Sequence, residues 1–216
     1  MTELIIELRK FRIKKIRFSI ILLLALLNFS CTNKQNENKK KIDVGNFRYE
    51  LFDDLSDWVV SDISEYLEKN YLRILEDLQI KHIPKTTIKI WFNEENFLEI
   101  QEMSIGNRYP GSTGYINNNE ICILYTGNNT AETALHEFAH LVSLKINPEL
   151  DNNPRWLWEA IAIYESNCPR LEPSRFSQLS VENYPTLSDL NTDFNSSQTI
   201  YDIGYTLTEF ILYKWD

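Results

Sequence analysis

The sequence predicts an α+β domain, with a small sheet in its first half followed by a mainly helical C-terminal part. Three observations carry this. Residues 57 to 80 repeat apolar positions at helical spacing ahead of any strand. Two β-branched, alternating stretches, Thr86–Phe92 and Tyr115–Tyr125, then lie close together, the second broken by Asn117-Asn118-Asn119. After residue 129 the pattern returns to helical periods and stays there. At 216 residues and 43% hydrophobic content the chain has enough apolar material for one domain with a real core.

Taken in order, Asp57 to Ile80 reads as a long helix with Ile63, Leu67, Ile74, Leu75 and Leu78 on one face and Ser56 or Asp57 as its cap. His82 falls in the turn after it. Thr86 to Phe92 reads as a strand, and Asn93 to Met103 as a short helix that begins at an asparagine cap. Gly106, Pro110, Gly111 and Gly114 mark a loop. Tyr115-Ile116 and Glu120–Tyr125 then form a β-hairpin. Asn129 or Thr130 caps a largely apolar helix that stops short of Pro148. A further helix runs from Asn153, its cap, and Pro154 to Glu165. Pro169 to Thr199 is polar and turn-rich, with one short helical turn at Leu187–Leu190. Gln198 to Trp215 is the last helix, with Leu207, Phe210, Ile211 and Trp215 inward.

The chemistry is concentrated in His136-Glu137-Phe138-Ala139-His140. Residues four apart share a helix face, so both imidazoles point at one metal ion, and Glu137 stands beside them within reach of a water molecule. A catalytic zinc takes three protein ligands and keeps a fourth position open. Glu159, eighteen residues beyond His140, is well placed to be the third. It interrupts an apolar helix, where an unpaired carboxylate costs several kcal/mol. The bland alternatives are two solvated histidines on a surface helix and a Glu159 on that helix's exposed stripe.

These residues, with the surrounding Trp156-Leu157-Trp158-Glu159-Ala160-Ile161-Ala162-Ile163-Tyr164, resemble the gluzincin metallopeptidases of the H-E-x-x-H-x18-E type, the M1-like or "peptidase MA-like" group. The resemblance covers roughly residues 85 to 213. It implies a zincin-like α+β fold, a small mixed sheet with an edge strand next to the zinc-binding helix. It also implies zinc on His136, His140 and Glu159, with Glu137 as general base. Tyr201-Asp202-Ile203-Gly204 is similar to the family's Tyr-x-x-Gly segment. That likeness implies Tyr201 as a donor to the oxyanion, with Tyr205 as the alternative, and ordinary aromatic packing as the bland reading of both. In zincins the strand before the zinc helix is commonly an edge that pairs with extended peptide, so the hairpin is the expected substrate shelf. Two departures stand out. The family commonly has Asn-Glu-Gly where this chain has Trp158-Glu159-Ala160, and Gly111-Ser112-Thr113-Gly114-Tyr115 has no glutamate of the kind that holds a free amino terminus in M1 aminopeptidases.

Residues 1–31 differ from the rest. A basic stretch from Arg9 to Arg17 precedes an apolar run from Phe18 to Phe29, whose length fits a signal-peptide core better than a spanning helix. Cys31 follows, in a pattern similar to a bacterial lipoprotein signal, which implies a lipid on Cys31 and a place in the cell envelope. An ordinary secretory signal and an uncleaved anchor are the alternatives. Residues 32–46 read as a flexible polar tether, and 47–216 as the gluzincin-like domain. Beyond Cys31 the chain carries 16 basic and 29 acidic residues, a net charge of −13, which argues against nucleic acid as a partner. An oxidising compartment would permit a disulfide between Cys122 and Cys168, and a buried free thiol at Cys122 is the other reading.

The expected function is therefore a zinc metallopeptidase held at the cell envelope, acting on a peptide or protein substrate. The alternative is an envelope lipoprotein that keeps zinc and binds peptide or protein without cutting it. A zinc hydrolase of another substrate class is a third.

Overall fold

The structure is a computed structural model that describes residues 39–150, 154–166, 185–191 and 199–215. Five strands and five helices are present among them, an α+β arrangement around a five-stranded mixed sheet. The strands are β1 (Lys40–Val44), β2 (Phe47–Leu51), β3 (Thr86–Trp91), β4 (Gly114–Asn117) and β5 (Glu120–Leu124). The helices are α1 (Trp58–Asp77), α2 (Glu94–Ile105), α3 (Thr130–Ile146), α4 (Arg155–Glu165) and α5 (Thr199–Trp215). Sheet order is β1-β2-β3-β5-β4, with β2, β3 and β5 mutually parallel and β1 and β4 antiparallel at the two edges.

Strand alternation splits the core between the two faces of the sheet. Phe47, Tyr49, Leu51, Ile88, Ile90, Ile121 and Ile123 line one face and pack against α1 and α3. Phe138 of α3 meets Phe47 edge-on at 5.2 Å and stacks near Tyr71 of α1 at 5.6 Å. Trp91, Cys122 and Leu124 point the other way, with Tyr115, under Phe97 and Leu98 of α2. Helix α2 begins as its sequence demands: the Asn93 side chain accepts from the Asn96 amide at 3.0 Å, and Gly106 closes the helix at φ 76°.

Three sequence expectations need correction. Lys40–Val44 is not tether: it pairs antiparallel with Phe47–Leu51 around the Gly45 turn, so the ordered domain starts at residue 40 rather than 47. Asp57 precedes α1 without a side-chain cap bond, and Asn129 precedes α3 in the same way. Pro154 directly precedes α4. On α5 the inward residues are Ile200, Ile203, Gly204 and Thr208, whereas Phe210 and Ile211 are exposed and Leu207 is half-buried. Gly204 sets that face, because a Cβ there would stand 2.9 Å from the Trp156 carbonyl oxygen and 3.2 Å from Ala160 Cβ. The signal and lipid-anchor expectations, the Asn153 cap, Cys168 and its disulfide, most of the Pro169–Thr199 connector and the Trp215 side chain lie outside the described residues. Within that connector a short 3-10 turn forms at Asp189–Asn191, beginning where a helical turn was expected. Among the described residues no helix is long and apolar enough to cross a membrane.

Candidate metal centre

Helix α3 packs against the sheet, α1 and α4, and its buried polar residues are Thr130, Glu137, His140 and Ser143. His136, Glu137 and His140 fall on one side of it, and α4 packs across that side. Glu159 arrives from α4. Its Oε2 lies 3.3 Å from His136 Nε2 and 3.5 Å from His140 Nε2. The ligand-type atoms of the three residues all lie within 4.8 Å of one another, a group that could hold a metal ion. The two imidazoles stand nearly perpendicular, 4.6 Å apart at 88°. His140 and Glu159 are 4% and 5% exposed, so neither a pair of solvated histidines nor an exposed Glu159 describes this site.

Electrostatics at the site follow from burial and proximity. Burial works against the Glu159 carboxylate, yet hydrogen bonds and charge from His136 and His140 overcome it and hold the acid well below its usual range. Burial likewise disfavours a charged His136, but its bond to Glu159 and the neighbouring Glu137 leave the imidazole raised. Glu137 has no such hydrogen bond to compensate: burial pushes it up to about 7, with His136 opposing and Glu159 reinforcing the shift.

The edge strand reaches this group. Gly114, first residue of β4, lies so close to α3 that a Cβ on it would sit 2.7 Å from Glu137 Oε1 and 2.8 Å from Thr133 Cγ2. The strand directly before the helix, β5, is flanked by β3 and β4, so the free edge is β4. Of the two strands of the hairpin, the first and not the second therefore lies at the edge of the described sheet. His82 is exposed in the turn before β3 and takes no part.

Tyr201 and Tyr205 separate clearly. Tyr201 is pushed up by burial and further by the charges of Glu159 and Glu137, with Arg155 opposing through charge and a hydrogen bond to the hydroxyl. Tyr201 thus lies within electrostatic reach of both site carboxylates. Tyr205 turns elsewhere: its hydroxyl donates to Glu209 Oε1 at 3.2 Å and its ring lies 6.3 Å from Tyr164. Cys122 is a buried free thiol, pushed up to about 12 by burial, on the far face of the sheet.

Three residues at the site escaped sequence reasoning. Arg155 is buried beside Tyr201, and its amide donates to Asn191 Oδ1. Gly114 is legible in sequence only as a turn glycine. Trp158 stacks on His140, and its position next to Glu159 was the one available signal.

A scan against family models finds no match to this chain, and no curated protein matches it.

Proposed function

We propose that the chain is a zinc-dependent metallopeptidase, a gluzincin in type, held at the cell envelope through Cys31. The observation that supports the reading is the distance of the Glu159 oxygen from each of the two histidine nitrogens. Ligands at zinc bond lengths of about 2.0–2.2 Å and a tetrahedral angle stand roughly 3.4 Å apart. The Glu159 oxygen lies 3.3 and 3.5 Å from the two histidine nitrogens. Two imidazoles and one carboxylate, with one position left open, are also the donor set of catalytic rather than structural zinc. Bound there, zinc would supply Lewis acidity, polarising a carbonyl and making a water molecule acidic at neutral pH.

The chain's own residues account for the remaining steps. Glu137 takes the proton of the attacking water and returns it to the leaving amine. Tyr201 donates to the developing oxyanion, a contact that is strongest in the transition state. Among the described residues no strand lies beyond β4, so its outer edge would pair with an extended peptide, and Gly114 brings that edge against Glu137. The acidic balance beyond Cys31 argues against nucleic acid as the substrate. The basic and apolar stretches before Cys31 support the envelope location.

The test compares residues 32–216 with the Glu137→Gln variant for bound zinc and for cleavage of a mixed peptide library. Zinc in both and cleavage by the parent alone is the expected result. Zinc in both without cleavage by either would leave the non-catalytic binding protein standing, and no zinc in either would end the metal reading.

A further inference from the structure

Trp158 immediately precedes Glu159 on α4. Successive helix residues point about 100° apart, so the neighbour of a ligand ordinarily faces away from the ligand's partners. Here it does not. The indole lies against the imidazole of His140, with ring centroids 4.0 Å apart and planes tilted by 40°. Its Nε1–H donates to Ser143 Oγ at 3.1 Å, and the Ser143 hydroxyl donates to the His140 carbonyl oxygen at 2.8 Å. Ser143 is 1% exposed, so this relay runs without solvent.

The torsion that turns a histidine ring about its Cβ–Cγ bond has no sharp minimum, so something outside the ring must fix its plane. In metal sites, groups beyond the ligands do this, and their loss weakens metal binding. For His140 one flank is the indole and another is the perpendicular ring of His136. The same indole ties α4 to α3 through Ser143, so it also fixes where Glu159 stands relative to His140. The family resemblance assigns nothing to this place, since the family commonly has asparagine there.

We propose that Trp158 is a positioning residue for the metal centre: through its contact with His140 and its bond to Ser143 it holds His140 and Glu159 in one geometry. This rests on the reading of His136, His140 and Glu159 as a zinc site.

The experiment uses the residue 32–216 protein and measures zinc affinity by competition with a chromophoric chelator. It adds the visible absorption spectrum of the cobalt-loaded form, which reports the arrangement of the ligands. Metal-free melting temperatures check folding. Trp158→Leu, which loses both ring contact and hydrogen bond, is expected to bind zinc about 10- to 100-fold more weakly and to shift the cobalt spectrum. Trp158→Phe keeps a ring on His140 and is expected to recover part of that loss. Ser143→Ala, which removes the acceptor of the indole N–H together with the hydroxyl's own bond to the His140 carbonyl, should fall near Trp158→Phe. If Trp158→Leu does not fold, the other two variants decide the matter. A parent that binds one zinc, with variants that match it in affinity and cobalt spectrum, overturns the positioning role and leaves the zinc site intact. A parent that binds no zinc overturns the site reading and this role with it.

Discussion

Gly114→Ala is the sharpest test of how the edge strand and the proposed base are arranged. The added Cβ would stand 2.7 Å from Glu137 Oε1 and 2.9 Å from Glu137 Cγ, where ordinary contact begins near 3.4 Å. One side must retreat by about 0.7 Å. The strand is bonded to β5 along its length, whereas the Glu137 carboxylate is the free end of a side chain, so the carboxylate moves. A misplacement of about 1 Å in a catalytic group costs on the order of a hundredfold. A loss of tenfold to a hundredfold in kcat is expected, equal to about 1.4–2.8 kcal/mol of barrier. Stability should fall by about 1–3 kcal/mol, because the Cβ would also stand 2.8 Å from Thr133 Cγ2, an overpacking only partly offset by the roughly 0.5–1 kcal/mol that Ala gains over Gly in a strand. Zinc should remain, because Gly114 faces Glu137 and none of the three ligands. The assay is peptide cleavage alongside zinc content and melting temperature. Cleavage at the parent's rate would refute the reasoning, because it would mean Glu137 is not constrained by the edge strand. Loss of zinc together with activity would refute it as well, by showing that the substitution disturbs the whole site.

Two further outcomes are expected. Tyr201→Phe should lower kcat about a hundredfold with zinc content unchanged, while Tyr205→Phe, which removes the hydroxyl's bond to Glu209, should cleave nearly as the parent does; equal losses in both would remove the distinction between the two tyrosines. Stability should also fall as pH rises through neutrality, because burial pushes Glu165 up to about 7 from its ordinary 4.5, against the opposing Arg73. A raised acid holds its proton in the folded state, so its contribution is complete below about 4.5 and lost on passing about 7. Between pH 5.5 and 8 this amounts to about 2 kcal/mol, measurable by urea unfolding, and Glu165→Gln should flatten the slope. An identical slope in that variant would assign the effect elsewhere.

The cluster of His136, His140 and Glu159 was legible because its signal is local. His136 and His140 share a helix face by covalent spacing alone, and Glu159 declared itself as a charge inside an apolar helix. The features that were not legible all depend on which element lies against which. Lys40–Val44 sits in a lysine-rich run, and only pairing with Phe47–Leu51 makes it a strand. Whether β4 or β5 is the edge depends on β3 pairing with β5, more than thirty residues apart. The inward face of α5 was placed on its largest apolar residues, Phe210 and Ile211, but the contact with α4 is made where a side chain is missing, at Gly204. Gly114 is the same case: absence of a Cβ becomes meaningful only once α3 is seen beside it.

Helix α4 explains how the centre keeps its geometry. It carries three buried charged residues, and each is joined to a different element. Arg155 meets Tyr201 on α5, Glu159 meets the two histidines of α3, and Glu165 meets Arg73 of α1, Oε2 to Nη1, at 2.7 Å. The Glu165 carbonyl accepts a second bond from the same arginine. Between the first two sits the Trp158–Ser143 bond. Leaving a buried polar group without its partner typically costs about 1–3 kcal/mol. A shift of α4 by one residue or one turn would separate Arg155, Glu159 and Glu165 from their partners together, a loss of several kcal/mol against the roughly 5–15 kcal/mol that holds a domain folded. The helix is therefore fixed in rotation and along its axis by charges that serve no hydrophobic purpose. Glu159 inherits that precision, which a ligand contributed from a second helix must have if it is to meet His136 and His140 at bonding distance from one ion.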